Sequence, residues 1–139
     1  MTRARYLVDK SALARMIHEP VRERLAPIIE AGEAAACAII ELEVLFSAQN
    51  HEDHQRIRRR RRLAYEQVEL TEQIFDRAIA VQAELAKKSR HRLPIPDLII
   101  AAAAEASSLT VLHYDQDYDR IAEVTGQDME WVVERGSVP

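Results

Sequence analysis

The chain has 139 residues, of which 47% are hydrophobic and 30% charged, and it carries one cysteine, Cys37. That length suits a single domain over residues 1–139, and a lone cysteine excludes an internal disulfide and fits a reducing cytoplasm. The longest apolar run, Leu98 to Ala104, is far short of a bilayer span; the N-terminal stretch lacks a signal-peptide pattern; and the net charge of −4 does not by itself mark a nucleic-acid binder.

Tyr6-Leu7-Val8 reads as a short buried strand ending in Asp9. A helix is expected from about Ser11 to Ile17, with Leu13, Met16 and Ile17 on one face. Pro20 can open the next helix, where Val21, Leu25, Ile28 and Ile29 recur at helical spacing. Pro27 falls inside that pattern and is expected to kink or split it, and Gly32 ends it. Ala35 to Ile39 can form a second strand, after which Leu42, Leu45 and Phe46 return to helical period. An arginine-rich helix is expected from about His51 to Tyr65, and Gln67 to Leu70 is a weak strand candidate.

Thr71 has the chemistry of an N-cap for a long helix striped by Ile74, Ala78, Val81 and Leu85. Pro96 fits the first turn of a helix from Asp97 to Ser107, apolar nearly all round and therefore central. Thr110 to His113 is another strand, a helix follows to about Val124, and Glu130 to Val133 is expected as a last edge strand. This alternation predicts an α/β fold, a mainly parallel sheet covered by helices on both faces.

Parallel sheets bind ligands beyond the carboxyl ends of their strands. Asp9 follows one strand and Asp115 another, Asp97 lies in the first turn of the buried helix, and Glu43 lies early in the helix after the second strand. Taken singly, each has an ordinary explanation: Asp115 as a helix cap, Asp97 as a first-turn dipole acid, Glu43 as a solvated residue. Taken together they can meet at one sheet edge, where their mutual repulsion calls for a divalent cation. Hard oxygen donors without a Cys or His set favour Mg²⁺ or Mn²⁺, which can activate water against a phosphodiester.

The stretches Tyr6-Leu7-Val8-Asp9-Lys10-Ser11-Ala12-Leu13, Ile39-Ile40-Glu41-Leu42-Glu43-Val44-Leu45, Pro96-Asp97-Leu98-Ile99-Ile100-Ala101-Ala102 and Leu112-His113-Tyr114-Asp115-Gln116-Asp117-Tyr118 resemble the PIN-domain ribonucleases. Within them the chain is similar to the VapC-type toxins of bacterial toxin–antitoxin pairs. The resemblance implies a three-layer α/β/α sandwich, RNA cleavage dependent on Mg²⁺ or Mn²⁺, a VapB-type antitoxin partner and a homodimer. It implies that Asp9, Glu43, Asp97 and Asp115 form the acidic quartet, with Asp9, Asp97, Asp115 and Asp117 on the metal, and that the Ser11 hydroxyl orients these carboxylates. Lys10, Ile40, Ser47 and His113 depart from the family's usual residues, and none of these departures removes an acid.

Glu41 and Glu43, two residues apart on a helix, point about 200° apart, so only one can face the site. Glu43 precedes the apolar Val44-Leu45-Phe46 run as the family's glutamate does, and Glu41 is then expected to be solvated or paired. Asp115 lies nearest its strand end, Asp117 can join it, and Asp119 is expected at the surface. The run Arg56 to Arg62 holds six arginines covering every side of a helix. It reads either as a solvated face or as a guide for RNA or for an acidic antitoxin segment, with Arg58, Arg59 and Arg62 as candidates. Lys88, Arg90 and Arg92, close before Asp97, are candidates for phosphate contact, although cations also suit a helix C-terminus. Trp131 and Tyr118 read as core or interface anchors, and Cys37 as a buried, inert thiol. A receiver or dehalogenase-like phosphatase would need acids at positions held by Lys10 and Ser11. A silent binding module would not need all of the quartet.

Overall fold

The computed structural model describes residues 3–139. In chain order the elements are β1 (Tyr6–Val8), α1 (Lys10–Leu13), α2 (Glu19–Glu30), β2 (Ala34–Cys37), α3 (Ala38–Leu45), α4 (His51–Ala64), β3 (Glu66–Val68), α5 (Glu72–Lys87), α6 (Ile95–Ala106), β4 (Thr110–His113), α7 (Asp117–Thr125) and β5 (Met129–Trp131). The strands form one five-stranded sheet in the order β3-β2-β1-β4-β5, and every pairing is parallel.

The chain steps from β1 out to β3 on one side, then returns past β1 to β4 and β5 on the other. Right-handed crossovers in opposite directions place their helices on opposite faces, giving the three layers expected from the sequence. On one face α5, α6 and α7 pack together; on the other, α3 packs against α1 and α4. The reversal leaves a crevice beyond the carboxyl ends of β1 and β4, which register as Tyr6 with Thr110, Leu7 with Val111 and Val8 with Leu112.

The core explains the strand chemistry. Leu7, Val8, Val111 and Leu112 are fully buried, as expected for strands covered on both faces. In β2 the small side chains of Ala34, Ala35, Ala36 and Cys37 are buried throughout, which lets helices approach closely on both sides. All of α6 from Asp97 to Ala104 is buried, as its near-continuous apolar surface requires.

Some local expectations are corrected. The first helix stops at Leu13 and continues as turns, so Ile17 is exposed rather than on a buried face. Pro27 does not split α2, which runs unbroken to Glu30; the proline lies exposed, where water can satisfy the Glu23 carbonyl deprived of its donor. The second strand ends at Cys37, and Ile39 already belongs to α3. In α3 only Leu45 of the expected apolar stripe is buried; Leu42 and Phe46 lie exposed.

The arginine run is not wholly a solvated face. Arg61 is buried, and its guanidinium donates from Nε to Glu41 Oε1 at 2.8 Å and from Nη2 to Oε2 at 3.0 Å. Its guanidinium carbon stacks 4.2 Å from the Tyr65 ring centroid, and Gln67 Nε2 adds a donor to Glu41 at 3.3 Å. This bidentate pair ties α3 to α4 and β3. Removing one partner of a buried pair strands the other charge, whereas Arg58, half-buried and 3.8 Å from the same carboxylate, makes only a long, looser contact and contributes little. Arg61→Ala is therefore expected to lower stability by about 3–5 kcal/mol in urea denaturation, against under about 1 kcal/mol for Arg58→Ala. Equal effects would contradict this account of the pair.

Candidate metal and active site

The two strand-end aspartates each do two jobs. Asp9 accepts from the Ser11 backbone N–H at 3.0 Å, capping α1, and its own N–H donates to the Leu112 carbonyl at 3.0 Å, continuing the ladder to β4. Asp115 accepts at Oδ1 from the Asp117 N–H at 2.9 Å. The ordinary capping explanation and the functional one thus hold together: a capped carboxylate has one fixed orientation and lone pairs left over.

Ser11 closes the crevice. Its hydroxyl donates to Asp9 Oδ2 at 2.6 Å and accepts from the Tyr114 N–H at 2.9 Å, bridging the ends of β1 and β4. These bonds hold the Asp9 carboxylate in one orientation.

Asp97 enters from above the sheet in the first turn of α6. One oxygen each from Asp97, Asp115 and Asp117 lie within 4.8 Å of one another. Asp9 stands beside this triad, and Glu43 reaches it from α3: both raise the Asp97 pKa through their charge. Burial contributes most, followed by Asp9, Asp115, Asp117 and Glu43, and together they push the Asp97 carboxyl up to about 8. Burial, then the charge on Asp9, also raises Glu43, and burial followed by Asp115 raises Asp117. Buried oxygens Asp97 Oδ2 and Glu43 Oε1 accept no hydrogen bond among the described residues.

Those orphaned oxygens test whether a cation fits. A hydrogen-bond donor in their place would mark a structural cluster. Here several hard oxygens converge, two of them without any protein donor, which is the donor set of a divalent cation rather than of an ion pair.

Tyr118, which the sequence marks as a core or interface anchor, also reaches the acids. It is fully buried, yet its hydroxyl donates to Asp9 Oδ1 at 2.8 Å and lies 3.4 Å from Asp97 Oδ1. The available signal was its place in the first turn of α7, beside Asp117. His113 Nδ1 accepts from the Asp115 N–H at 3.1 Å, and burial lowers the His113 pKa, so the ring acts as a neutral acceptor that steadies the turn.

Of the competing acids, Glu41 is buried against Arg61 on the far side of α3, leaving Glu43 to the site. Asp119 turns to the Trp131 indole N–H, 3.2 Å from each of its oxygens. The basic candidates separate. Arg59 lines a recess with Asp53 and Arg56, away from the acids, and Arg62 is exposed on α4. Lys88, Arg90 and Arg92 lie exposed in the loop leading into α6, and Arg90 and Arg92 border a cavity beside α7.

The PIN domain family profile matches residues 6–124. The chain belongs to the PIN domain family. It is 47% identical over 134 residues to Ribonuclease VapC21 of Mycobacterium tuberculosis, spanning 96% of this chain and 97% of that protein. It is 42% identical over the same length to Ribonuclease VapC51 of the same species, with the same coverage. Among solved structures, the DNA-bound VapBC of Salmonella typhimurium superposes with a TM-score of 0.74 at 20% identity, covering 94% of this chain and 99% of that one. The structure of FitAcB from Neisseria gonorrhoeae gives 0.70 at 16% identity, over 91% and 97%. These last two likenesses establish the PIN fold.

The raised Asp97 pKa carries a sign for stability. Between about pH 4 and pH 8 the folded state keeps a proton that the unfolded chain has released, so metal-free stability falls as pH rises through that window. Asp97→Asn removes the titration. In chelator, this variant is expected to melt several degrees above wild type at pH 8, the gap closing toward pH 4. A gap independent of pH would refute the assigned environment.

Proposed function

We propose that this PIN-domain protein is an endoribonuclease that hydrolyses RNA phosphodiesters with a carboxylate-bound Mg²⁺ or Mn²⁺, acting as the toxin of a type II toxin–antitoxin pair. The observation carrying this reading is that one oxygen each of Asp97, Asp115 and Asp117 lie within 4.8 Å of one another, with the buried Asp97 Oδ2 lacking a donor among the described residues. The names of the VapC relatives support the ribonuclease activity.

Asp9, Asp97, Asp115 and Asp117 would hold the ion, with Glu43 facing it from α3. When bound, the ion would make a coordinated water more acidic and would stabilise the negative charge that develops on the phosphodiester. The protein's part is orientation. Ser11 fixes one oxygen of Asp9 and Tyr118 the other. Asp97 is kept from solvent, which strengthens every charge interaction in the crevice. Glu43, whose pKa burial and then the charge on Asp9 raise, faces the crevice as the candidate proton carrier.

An antitoxin of the VapB kind and a second copy of this chain are the proposed protein partners. The solved neighbours include a toxin–antitoxin complex from Klebsiella pneumoniae, and the exposed Leu42, Phe46 and Leu63 on one side and Phe75, Ile79 and Ile95 on another offer apolar surface. No helix among the described residues is long and apolar enough to cross a membrane; the cytoplasm is the proposed compartment.

Purified protein is expected to cut single-stranded RNA with Mg²⁺ or Mn²⁺ and to stop on addition of chelator. Asp97→Asn should abolish cutting while circular dichroism shows the fold intact. An active Asp97→Asn enzyme would sink the assignment. Tyr118 is a positioning residue for Asp9: Tyr118→Phe should weaken Mn²⁺ binding, read calorimetrically, by about 10–100-fold with its melting curve still cooperative. An unchanged Mn²⁺ affinity would show that its hydroxyl serves packing alone.

A further inference from the structure

Beside the acidic crevice of this protein of net charge −4, a second group of arginines lies apart from the run on α4. The loop between α5 and α6, the outer face of α7 and the C-terminal segment enclose an open groove of about 800 Å³. Arg90, Arg92, Arg120 and Arg135 line it, against only Asp119 and Glu123. Asp119 is engaged by the Trp131 indole, and Glu123 pairs with Arg90 at 3.2 Å.

Two of these arginines are not neutralised. Arg92 makes no ion pair or hydrogen bond among the described residues. Arg135 donates to the neutral Gln116 Oε1 at 2.5 Å, and its guanidinium carbon lies 5.6 Å from the Trp131 ring centroid, another neutral group. Arg120 bonds Asp117 Oδ1 at 3.3 Å, so the groove's wall reaches a member of the acidic triad. A second recess, which includes Ser11 and Asp115, shares Gln116 and Arg135 with the first. The groove therefore opens onto the reaction site. Arg135 lies in the C-terminal segment, outside residues 6–124 that match the PIN profile, whereas Arg90, Arg92 and Arg120 lie inside them.

We propose that this groove is the binding track for the RNA strand beside the bond to be cut, with Arg92 and Arg135 as phosphate-binding residues. The inference rests on the ribonuclease reading above. An acidic floor repels phosphates, so a polyanion needs cations adjacent to the site to bring its backbone within reach. Guanidinium groups suit this because each offers two parallel donors to phosphate oxygens. The surface pairs Arg90–Glu123 and Arg120–Asp117 are weak enough to be exchanged for phosphate contacts.

The test compares proteins in the Asp97→Asn background with Mg²⁺ present, so that RNA binds without being cut. A fluorescent single-stranded 12-mer is titrated by anisotropy across a range of salt concentrations. Adding Arg92→Gln and Arg135→Gln together should weaken binding at least about tenfold. The slope of log affinity against log salt should become shallower by about 1.4, about 0.7 for each lost contact to a single strand. Arg5→Gln, at the opposite end of β1, should leave both quantities unchanged. In the active background the double variant should raise KM on long RNA with kcat nearly constant, as loss of uniform binding requires.

Unchanged affinity and slope in the double variant overturn the track. So does loss of binding to poly-glutamate with RNA binding intact, which would make the groove a dock for an acidic polypeptide. The two readings fail separately: if wild type neither cuts nor binds RNA, the ribonuclease reading falls, whereas if it does both and the double variant matches it, only the track falls.

Discussion

Mutual repulsion among the acids around Asp97 is the constraint to which the rest of this structure answers. Carboxylates from the ends of β1 and β4 and from the first turns of α6 and α7 share a partly buried crevice, where like charges interact more strongly than at the surface. Such a cluster persists only if its frame is held by stronger forces. The frame consists of the β1–β4 ladder, extended by the Asp9 N–H, and the wholly buried α6 behind it. Ser11 and Tyr118 then bring neutral donors to Asp9, dispersing its charge without cancelling it. A lysine or arginine in their place would have neutralised the cluster and removed its claim on a cation.

The same logic accounts for the two glutamates of α3. Glu41 and Glu43 differ by two positions and about 200° of helical rotation. Glu41 is locked by the buried Arg61, which also stacks on Tyr65, and this fixes the rotation of α3 about its axis. With that rotation set, Glu43 must face the crevice, and its Oε1 remains without a donor. The ion pair is thus a register device more than a source of stability, since a well-packed apolar pair could hold the helices equally well. What an apolar pair would lack is the demand that one particular face of α3 meet one particular point on α4.

Much of this was legible in the sequence because it follows from periodicity and chain order. The strand ends at Asp9 and before Asp115, the all-apolar α6 and the stripe on α5 are local signals, and they suffice for a parallel sheet with acids at its carboxyl edge. The motifs around Asp9, Glu43, Asp97 and Asp115 pointed to the PIN family, which the profile match bears out. The losses were of another kind. The burial of Arg61 depends on which face of α4 meets α3, and a run of arginines covering every side conceals that phase. Tyr118 looked like core because it is core; that its hydroxyl meets Asp9 depends on a contact spanning 109 residues. Leu42 and Phe46 followed the helical period and still lie at the surface, because periodicity marks an apolar face without saying what covers it.

Charge placement explains how one small domain can serve opposing needs. A cation site requires concentrated negative charge, and an RNA backbone is repelled by the same charge. Averaging the two over the surface would weaken both, because fields from mixed exposed charges are screened within about 8 Å at physiological ionic strength. This chain separates them over a short distance instead. Asp9 and Asp97 are buried and little screened, with Asp115 and Asp117 half-buried beside them, while the unneutralised Arg92 and Arg135 stand in the open groove alongside. Arg120, bonded to Asp117, sits on the boundary. Each field is then strong where it acts, and the net charge of −4 records only their sum. The boundary also gives direction: a strand held along the arginines is presented to the acids from one side, so placement of the groove, more than its affinity, would select which phosphodiester reaches Asp97.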